Sequence, residues 1–290
     1  MKKYVGIGEL IKSYRINSGN SQSELASQLD VDTRTIMRWE KNETLVSSDK
    51  EHSLANATFI PIQVIRNLNT TSPIPTYYDF GLRKYSLSTL FSELPDAQWI
   101  NSRIEMQTDR LKSFESKENF EPIIRFTKLQ KNPLKTTNTE LMWEASKIFP
   151  ELNMILFDHF GNYSGHCVYF PISLKTYQKI RNKEITENNL QIKDLINYKT
   201  NEQPVFYCHS ITADCNENFF YIIGSVLKFY RDITIDDYLY ALLTSRYDSH
   251  KMSTQLGVST VWKDYEVKAK YGLIDAPRLI EGTFHKFFEV

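Results

Sequence analysis

The run from Ser21 to Glu40, SQSELASQLDVDTRTIMRWE, constrains the fold of this chain most, because its spacing fits two short helices joined by a tight turn. Ser21 and Glu24 stand three residues apart, which is the spacing of a capping box at the start of a helix. Asp32 is placed to cap a second helix that starts near Thr33. Apolar residues line the first helix and plug the turn: Leu25, Ala26, Leu29 and Val31. The run therefore predicts a helix-turn-helix.

The second helix of this run has an apolar side and a polar, cationic side. Ile36 and Trp39 fall on the inner side at a spacing of three residues. The residues that point away from it are polar or cationic: Thr33, Arg34, Thr35, Arg38 and Lys41. A helix face of this kind suits the major groove of DNA, so these residues form the predicted recognition face. The alternative is an ordinary amphipathic helical bundle with incidental charges.

At these residues the chain resembles the Xre/Cro-type helix-turn-helix family, the fold of lambda-class phage repressors, over residues 1–70. The matching features are Tyr14-Arg15 at the end of the first helix, Ser21-Gln22, Glu24-Leu25-Ala26, Val31, and Ile36 followed by Arg38-Trp39-Glu40. The resemblance implies an ion pair between Arg15 and Glu40, and a place for Gln22 near the DNA backbone or a base edge. Asn42 stands where the family usually has glycine, and asparagine tolerates the left-handed conformation of a helix end.

The charge of this segment sets the kind of DNA binding that we expect. Residues 1–70 hold nine Lys or Arg against eight Asp or Glu, so their net charge is only +1. Affinity for DNA of any sequence should be modest, and specific binding would depend on Arg34, Arg38 and Lys41. Because one recognition helix spans only about 4–5 base pairs, we expect a homodimer on two half-sites of double-stranded DNA.

Composition places the chain in the soluble, globular class. Its 290 residues are 41% hydrophobic and 24% charged, a length that favours two domains over one. No apolar run approaches the length of a membrane span, and the N-terminus lacks the hydrophobic core of a signal peptide, so we expect a cytoplasmic protein and no membrane partner. The three cysteines form no CxxC pair, which disfavours a disulfide framework, and we predict no metal site.

The polar, proline-containing stretch from Asn69 to Pro75 is the predicted domain boundary. It would end an all-α helix-turn-helix domain of residues 1–70, completed by a short helix after Pro61. Residues 71–120 have apolar residues at helical spacing, namely Leu87, Leu90, Phe91 and Leu94. We predict that this segment is a helical connector that could also carry the dimer contact.

Residues 121–290 alternate strands and helices, which predicts a mixed α/β domain and makes the whole chain an α+β multidomain protein. The predicted elements are strand Ile123–Phe126, helix Thr139–Phe149, strands Met154–His159 and His166–Pro171, helix Lys175–Lys183, strand Val205–Thr212, helix Phe219–Tyr230, strand Tyr238–Leu243 and helix Ser249–Leu256. The glycine-containing stretch between the second and third strands predicts a hairpin connection.

This order resembles that of the GNAT N-acetyltransferase superfamily. Gly165 to Pro171 looks like the third strand of such domains, and Phe206 to Ile211 looks like the fourth. The resemblance implies a coenzyme A loop after the fourth strand, where the family has a glutamine or arginine and two glycines whose amides hold the pyrophosphate. This chain has Asp214, Asn216 and Asn218 in that loop, which we regard as a degenerate cofactor loop. Binding of acetyl-CoA is therefore disfavoured, and no cofactor is predicted.

No catalytic residues are predicted. Cys208 and His209 are neighbours on a strand and point to opposite faces, so they cannot form a nucleophile and base pair by themselves. His159 and His166 could face each other across a hairpin, but a third metal ligand is missing nearby. Asp236-Asp237 is better explained as a cap than as an acid and base pair. The surplus of aromatic residues in the last hundred positions leaves a pocket for a small-molecule effector open.

These patterns lead to one main hypothesis and two alternatives. The main hypothesis is a sequence-specific, DNA-binding transcriptional regulator with a GNAT-like sensor or assembly domain at its C-terminus. The first alternative is a GNAT-family N-acyltransferase, dependent on acyl-CoA, that is fused to a DNA-binding head. The second is an antitoxin that represses its own promoter, which explains the head but little of the large remainder. The loop at residues 214–218 distinguishes the main hypothesis from the first alternative.

Overall fold

The computed structural model describes residues 1–88, 97–200, 203–233, 238–246 and 256–288. The chain divides into two compact units, Met1–Glu93 and Leu94–Val290. It is an α+β protein, with helices near the N-terminus and a seven-stranded mixed sheet in the second unit. No helix within the described ranges is both long and apolar enough to cross a bilayer.

Within residues 1–88, the first unit contains five helices and a small sheet. Its elements are β1 Lys2–Tyr4, α1 Ile7–Asn17, α2 Gln22–Leu29, α3 Thr33–Glu40, α4 Ser48–Thr58, α5 Ile62–Leu68, β2 Thr76–Asp79 and β3 Lys84–Ser86. The apolar sides of the five helices meet in one core, which includes Leu10, Leu25, Ile36, Leu54 and Ile65. Tyr4 and Tyr78 add the inner face of the sheet to that core.

The small sheet differs from the predicted helical connector at residues 71–120. Strands β1, β2 and β3 are antiparallel in that order, with Lys2 opposite Tyr78 and Tyr78 opposite Tyr85. The first unit is therefore not all-α, and it continues past residue 70, because β2 must return to pair with the N-terminal strand. Leu87 lies outside any helix and is 58% exposed. Leu90, Phe91 and Leu94 lie outside the described residues.

The second unit is built around the seven-stranded sheet. Its elements are α6 Ala97–Asn101, β4 Leu111–Ser113, α7 Glu121–Leu129, α8 Thr139–Ile148, β5 Met154–Phe157, β6 Tyr163–Ser173, α9 Leu174–Arg181, β7 Pro204–Ala213, α10 Asn216–Asp232, β8 Leu239–Thr244, β9 Val258–Lys263, α11 Tyr265–Tyr271, β10 Arg278–Gly282 and α12 His285–Phe288. The strand order is β4-β5-β6-β7-β8-β10-β9. Only β7 and β8 are parallel, and the other neighbouring pairs are antiparallel.

Two cores flank this sheet because neighbouring side chains on a strand point to opposite faces. Cys167 and Tyr169 of β6 pack in the core that contains α10. Val168 and Phe170 pack in the other core, which contains residues of α7, α8 and α9. The second unit is thus a sheet covered on both faces by helices. This agrees with the mixed α/β domain predicted from the alternating pattern, which did not specify the layers.

One predicted strand of this unit is wrong. Ile123–Phe126 belongs to helix α7, which begins beside Pro122, a residue that is well suited to the first turn of a helix. Ile123 and Phe126 are both buried at a helical spacing of three, whereas Arg125 between them is exposed. A short apolar run of this kind fits a strand or a helix by pattern alone. The helix predicted at Ser249–Leu256 and the cap predicted at Asp236-Asp237 fall outside the described residues, except for Leu256.

Candidate nucleic-acid interface

Helices α2 and α3 begin at side-chain caps that hold the turn between them. The Ser21 hydroxyl accepts a hydrogen bond from the Glu24 amide at 3.2 Å, and the Ser21 amide donates to Glu24 Oε2 at 2.6 Å. The carboxylate of Asp32 accepts from the Arg34 amide at 2.7 Å, which caps α3. Asp30 ends α2 in the left-handed conformation with a φ of 51°. Caps of this kind satisfy amides that would otherwise have no partner at a helix start.

The outer face of α3 is cationic. Ile36 and Trp39 are buried, and the side chains of Arg34, Arg38 and Lys41 are exposed on the opposite side. The other two predicted recognition residues, Thr33 and Thr35, are half-buried at the edges of this face. Lys41 also lies 3.7 Å from Glu43, but both side chains are more than half exposed, so this ion pair is weak. We call Arg34, Arg38 and Lys41 the cationic face.

Arg15, Glu40 and Gln22 meet behind this face. Arg15 Nε and Nη2 donate to the two oxygens of Glu40 at 2.5 and 3.1 Å, and Gln22 Nε2 donates to Glu40 Oε2 at 2.8 Å. Burial opposes ionisation of the Glu40 carboxyl, but these hydrogen bonds and the Arg15 charge outweigh it and hold the pKa of Glu40 below its ordinary value. The carboxylate thus joins α1 and α2 to the end of α3, and it fixes the direction of the Gln22 amide.

A second contact positions α3 against α1. The Gly8 amide donates to Asn42 Oδ1 at 2.8 Å, and Asn42 has a φ of 55°, the left-handed conformation expected from its place after α3. A Cβ atom at Gly8 would lie 2.2 Å from the Trp39 carbonyl oxygen and 2.8 Å from that of Glu40. The start of α1 therefore touches the backbone at the end of α3, with room only for glycine.

We expect the Arg15 and Glu40 charges to be coupled. Replacing Arg15 by methionine leaves the buried Glu40 carboxylate without its main partner, and Glu40→Gln leaves the guanidinium without a counter-ion. Because the Glu40 side chain is only 5% exposed, each single change should cost more than half of the double change, with a coupling of about 1–3 kcal/mol. Urea unfolding of the four variants gives the coupling energy. A coupling energy near zero would mean that the Arg15–Glu40 ion pair does not stabilise the packing of α1 against α3.

The residues of the predicted cofactor loop lie at the start of α10. Asp214 is buried just before the helix and accepts from Asn218 Nδ2 at 2.8 Å. Arg110 donates through both terminal nitrogens to Asn218 Oδ1, each at 3.2 Å. Asn216 is half-buried as the first residue of the helix, and Glu217 is exposed. The structure thus brings Asp214 and Asn218 together, with the Asp214 carboxylate held inside the protein rather than facing solvent.

A buried charged cluster in the second unit was missed by sequence reasoning. It consists of Lys135 in the loop after α7, Glu187 in the 3-10 turn Glu187–Asn189, and His209 on β7. His209 Nδ1 lies 2.6 Å from Glu187 Oε1, and Lys135 Nζ lies 3.5 Å from Glu187 Oε2. The Thr136 amide donates to Glu187 Oε1 at 2.9 Å, and the Lys135 ammonium donates to the His209 carbonyl oxygen.

This cluster sits where the sheet is irregular. Val168 pairs with Ser210 and Tyr169 pairs with Cys208, so His209 is an extra residue, a β-bulge, in β7. The Lys135 ammonium donates to the carbonyl oxygen of this bulged residue. Burial raises the pKa of the Glu187 carboxyl, but the Lys135 and His209 interactions outweigh it, and the resulting pKa is below the ordinary value. Burial lowers the pKa of His209, although the Glu187 charge opposes this.

His166, Cys167 and Cys208 are buried in the sheet, whereas His159 is exposed and does not lie opposite His166, which pairs with Ile155. His166 is buried on β6, and its Nδ1 lies 2.5 Å from the Tyr163 hydroxyl. Cys167 and Cys208 are buried thiols, and burial raises the pKa of each. Among the residues that the structure describes, no group of three or more His, Cys, Asp or Glu side chains could hold a metal ion.

Comparison with known proteins finds no protein-family model that matches this sequence and no curated protein that matches it.

Proposed function

We propose that this chain is a sequence-specific, DNA-binding transcriptional regulator, and that α3 is its recognition helix. The observation that carries the proposal is the cationic face of α3, which is exposed on a helix whose C-terminal end is tied to α1 and α2. Arg34 and Arg38 stand one turn apart, so both can reach base edges in one major groove. Arginine can donate two parallel hydrogen bonds to guanine, which is the commonest specific contact of this kind.

The rigid attachment of α3 favours selective binding over general attraction to phosphate. The Arg15, Glu40 and Gln22 contacts and the close approach at Gly8 hold the helix before DNA arrives. A recognition element that is already ordered loses little conformational entropy on binding. A homodimer on two half-sites completes the proposal, because one helix contacts only about 4–5 base pairs.

DNA selected by the wild-type chain from a random-sequence duplex pool provides the test. Arg34→Ala and Arg38→Ala should each weaken binding to the selected duplex by about 1–3 kcal/mol, roughly 5- to 150-fold, because each loses contacts to a base. Lys3→Ala is the matched control, since it removes one exposed positive charge from β1, outside the helix-turn-helix. Fluorescence anisotropy measures the affinities. If both arginine variants bind like the wild type, α3 is not the recognition helix.

We further propose that the second unit is a GNAT-like domain acting as a sensor or assembly module. The support is its element order: a hairpin of β5 and β6, a helix, then β7, α10 and β8, with further strands to the end. The buried Asp214 carboxylate at the start of α10 supports a role without acyl transfer. A helix start attracts anions, and here the chain supplies its own anion at that place.

The alternative of an acyl-CoA-dependent N-acyltransferase is favoured by one observation. The parallel pairing of β7 and β8 ends at Cys208 and Leu242, after which β7 continues beside β6 alone and leads into α10. Where two parallel strands diverge next to the N-terminus of a helix, they leave a crevice in which a ligand can bind. The acyltransferase alternative requires this crevice to bind the pyrophosphate of coenzyme A although the Asp214 carboxylate lies next to it.

We expect acetyl-CoA to bind the full chain no more tightly than millimolar. The Asp214 carboxylate near the helix start opposes a pyrophosphate by about a few kcal/mol, which separates a micromolar site from a millimolar one. Isothermal titration calorimetry measures this directly. Glu217→Gln removes a neighbouring exposed charge and serves as the control, with no change expected. Micromolar binding by the wild-type chain would favour the acyltransferase.

A further inference from the structure

One apolar side chain interrupts the polar outer side of α3. Met37 is 41% exposed and is the one exposed apolar residue of this helix, all of whose residues the structure describes. It does not belong to the hydrophobic core of the first unit, whose α3 members are Ile36 and Trp39. Packing of the described first unit therefore gives no reason for methionine at this position.

Met37 lies beside the cationic face rather than away from it. At about 100° per residue it sits roughly 60° from Arg34 and roughly 40° from Lys41 around the helix axis. Thr33, Met37 and Lys41 follow one another at intervals of four residues, which makes a stripe along α3 parallel to that of Arg34 and Arg38. A nucleic acid that contacts Arg34 and Arg38 therefore passes close to the Met37 side chain, on the Arg34 side of the cationic face.

The chemistry of the major groove limits what this side chain can contact favourably. Base edges there present hydrogen-bond donors and acceptors, and the single apolar group is the 5-methyl group of thymine. Methionine is unbranched and polarizable, so it can adapt its shape to a methyl group. Against any other base edge it would cover a polar group without replacing its hydrogen bond to water, which is unfavourable.

We propose that Met37 is a specificity-determining residue that packs on the methyl group of a thymine in the bound DNA, beside the base pairs contacted by Arg34 and Arg38. This inference rests on the proposed function. It adds a preference for a T·A pair, recognised through shape and apolar contact, to the hydrogen-bonded recognition by the arginines.

The experiment uses the full chain and the duplex that it selects from a random pool. Each thymine of that duplex is replaced in turn by deoxyuridine, which keeps every hydrogen-bonding group and removes only the methyl group. For the wild type, at least one such replacement in each half-site should weaken binding about fourfold, the factor that corresponds to burying one methylene-sized group. In Met37→Gln, of similar length, the same replacement should have no effect, whereas Met37→Leu should keep most of it.

The outcomes separate this inference from the function on which it rests. A wild type that binds its selected duplex but tolerates uridine at every position overturns the role of Met37 alone. The same holds if the uridine effect persists in Met37→Gln, since another side chain would then contact the methyl group. If the pool yields no preferred sequence and the chain binds no duplex, both the inference and the proposed function fail. Thermal unfolding of the exposed-site variants checks that each is folded.

Discussion

Glu187→Ala is expected to destabilise the second unit by about 3–5 kcal/mol, which is a large part of the stability of an ordinary domain. The change leaves the Lys135 ammonium without its counter-ion and the Thr136 amide without an acceptor, both in the interior. It also removes the group that holds the His209 ring. Urea unfolding of the full chain, followed by circular dichroism, measures the loss.

Further variants test whether burial of charge is the cause. Glu184→Ala removes an exposed carboxylate three residues earlier and should change stability by less than about 0.5 kcal/mol. Glu187→Gln keeps a carbonyl acceptor for the His209 ring or the Thr136 amide, so it should cost less than alanine. Combining it with Lys135→Met should cost less than the two single changes together, because no ammonium is then left unpaired. A loss below about 1 kcal/mol for Glu187→Ala would contradict the account.

The same cluster gives an expected dependence of stability on pH. Because burial lowers the pKa of His209, the unfolded chain takes up a proton on that ring before the folded chain does as the pH falls. The free energy of unfolding should therefore fall below the ordinary imidazole pKa of about 6.5. The lowered pKa of Glu187 adds a loss in the same direction at more acidic pH, below the ordinary glutamate value. Urea midpoints between pH 7 and pH 5 test the first step.

Gly8→Ala is expected to destabilise the first unit by about 3 kcal/mol and to weaken DNA binding with it. Helix propensity alone favours alanine by about 1 kcal/mol, so the sign of the effect depends on packing. The new Cβ would lie 2.2 Å from the Trp39 carbonyl oxygen, which is backbone and cannot rotate away. Relief requires α1 to move from α3, and that movement breaks the bond from the Gly8 amide to Asn42.

Gly81→Ala is the matched control for this prediction. Its Cβ would meet only the Asp79 carboxylate at 3.5 Å, an ordinary contact, and the residue is exposed in a turn. It should change stability by about 0.5 kcal/mol or less. Thermal unfolding and anisotropy on the selected duplex measure both variants. If Gly8→Ala raises the melting temperature, the gain in helix propensity outweighs the steric clash with the Trp39 carbonyl. Helices α1 and α3 would then be less tightly packed than the 2.2 Å distance implies.

Short-range signals made helices α2 and α3, and the turn between them, predictable. Ser21 with Glu24 and Asp32 with Arg34 are contacts between residues two or three positions apart, and each is visible in the sequence. By contrast, the contact between Gly8 of α1 and Asn42 after α3 joins residues that are 34 positions apart in the sequence. Of the contacts between α1 and α3, only the Arg15–Glu40 ion pair was expected, and that expectation came from a family resemblance.

Long-range pairing explains what sequence reasoning missed. Strands β1 and β2 have only three and four residues, too few to show a clear alternation of apolar and polar side chains. They are also far apart in the sequence, although they pair in the structure. The charged cluster joins Lys135, Glu187 and His209 from three separate segments, and none of these segments has a motif. The direction of the Asp214 carboxylate depends on Asn218, whose amide could equally have faced solvent.

The bulge at His209 determines which side chains of β7 face each side of the sheet. Cys208 before it and Ile211 and Ala213 after it all belong to the α10 side of the sheet. In a regular strand Ile211 would instead face away from Cys208, since the two positions differ by three. The one added residue shifts the alternation of side chains, so that apolar residues before and after the bulge face the same side of the sheet. The length of this strand is fixed by both cores at once, so β7 cannot gain or lose a residue as a surface loop can.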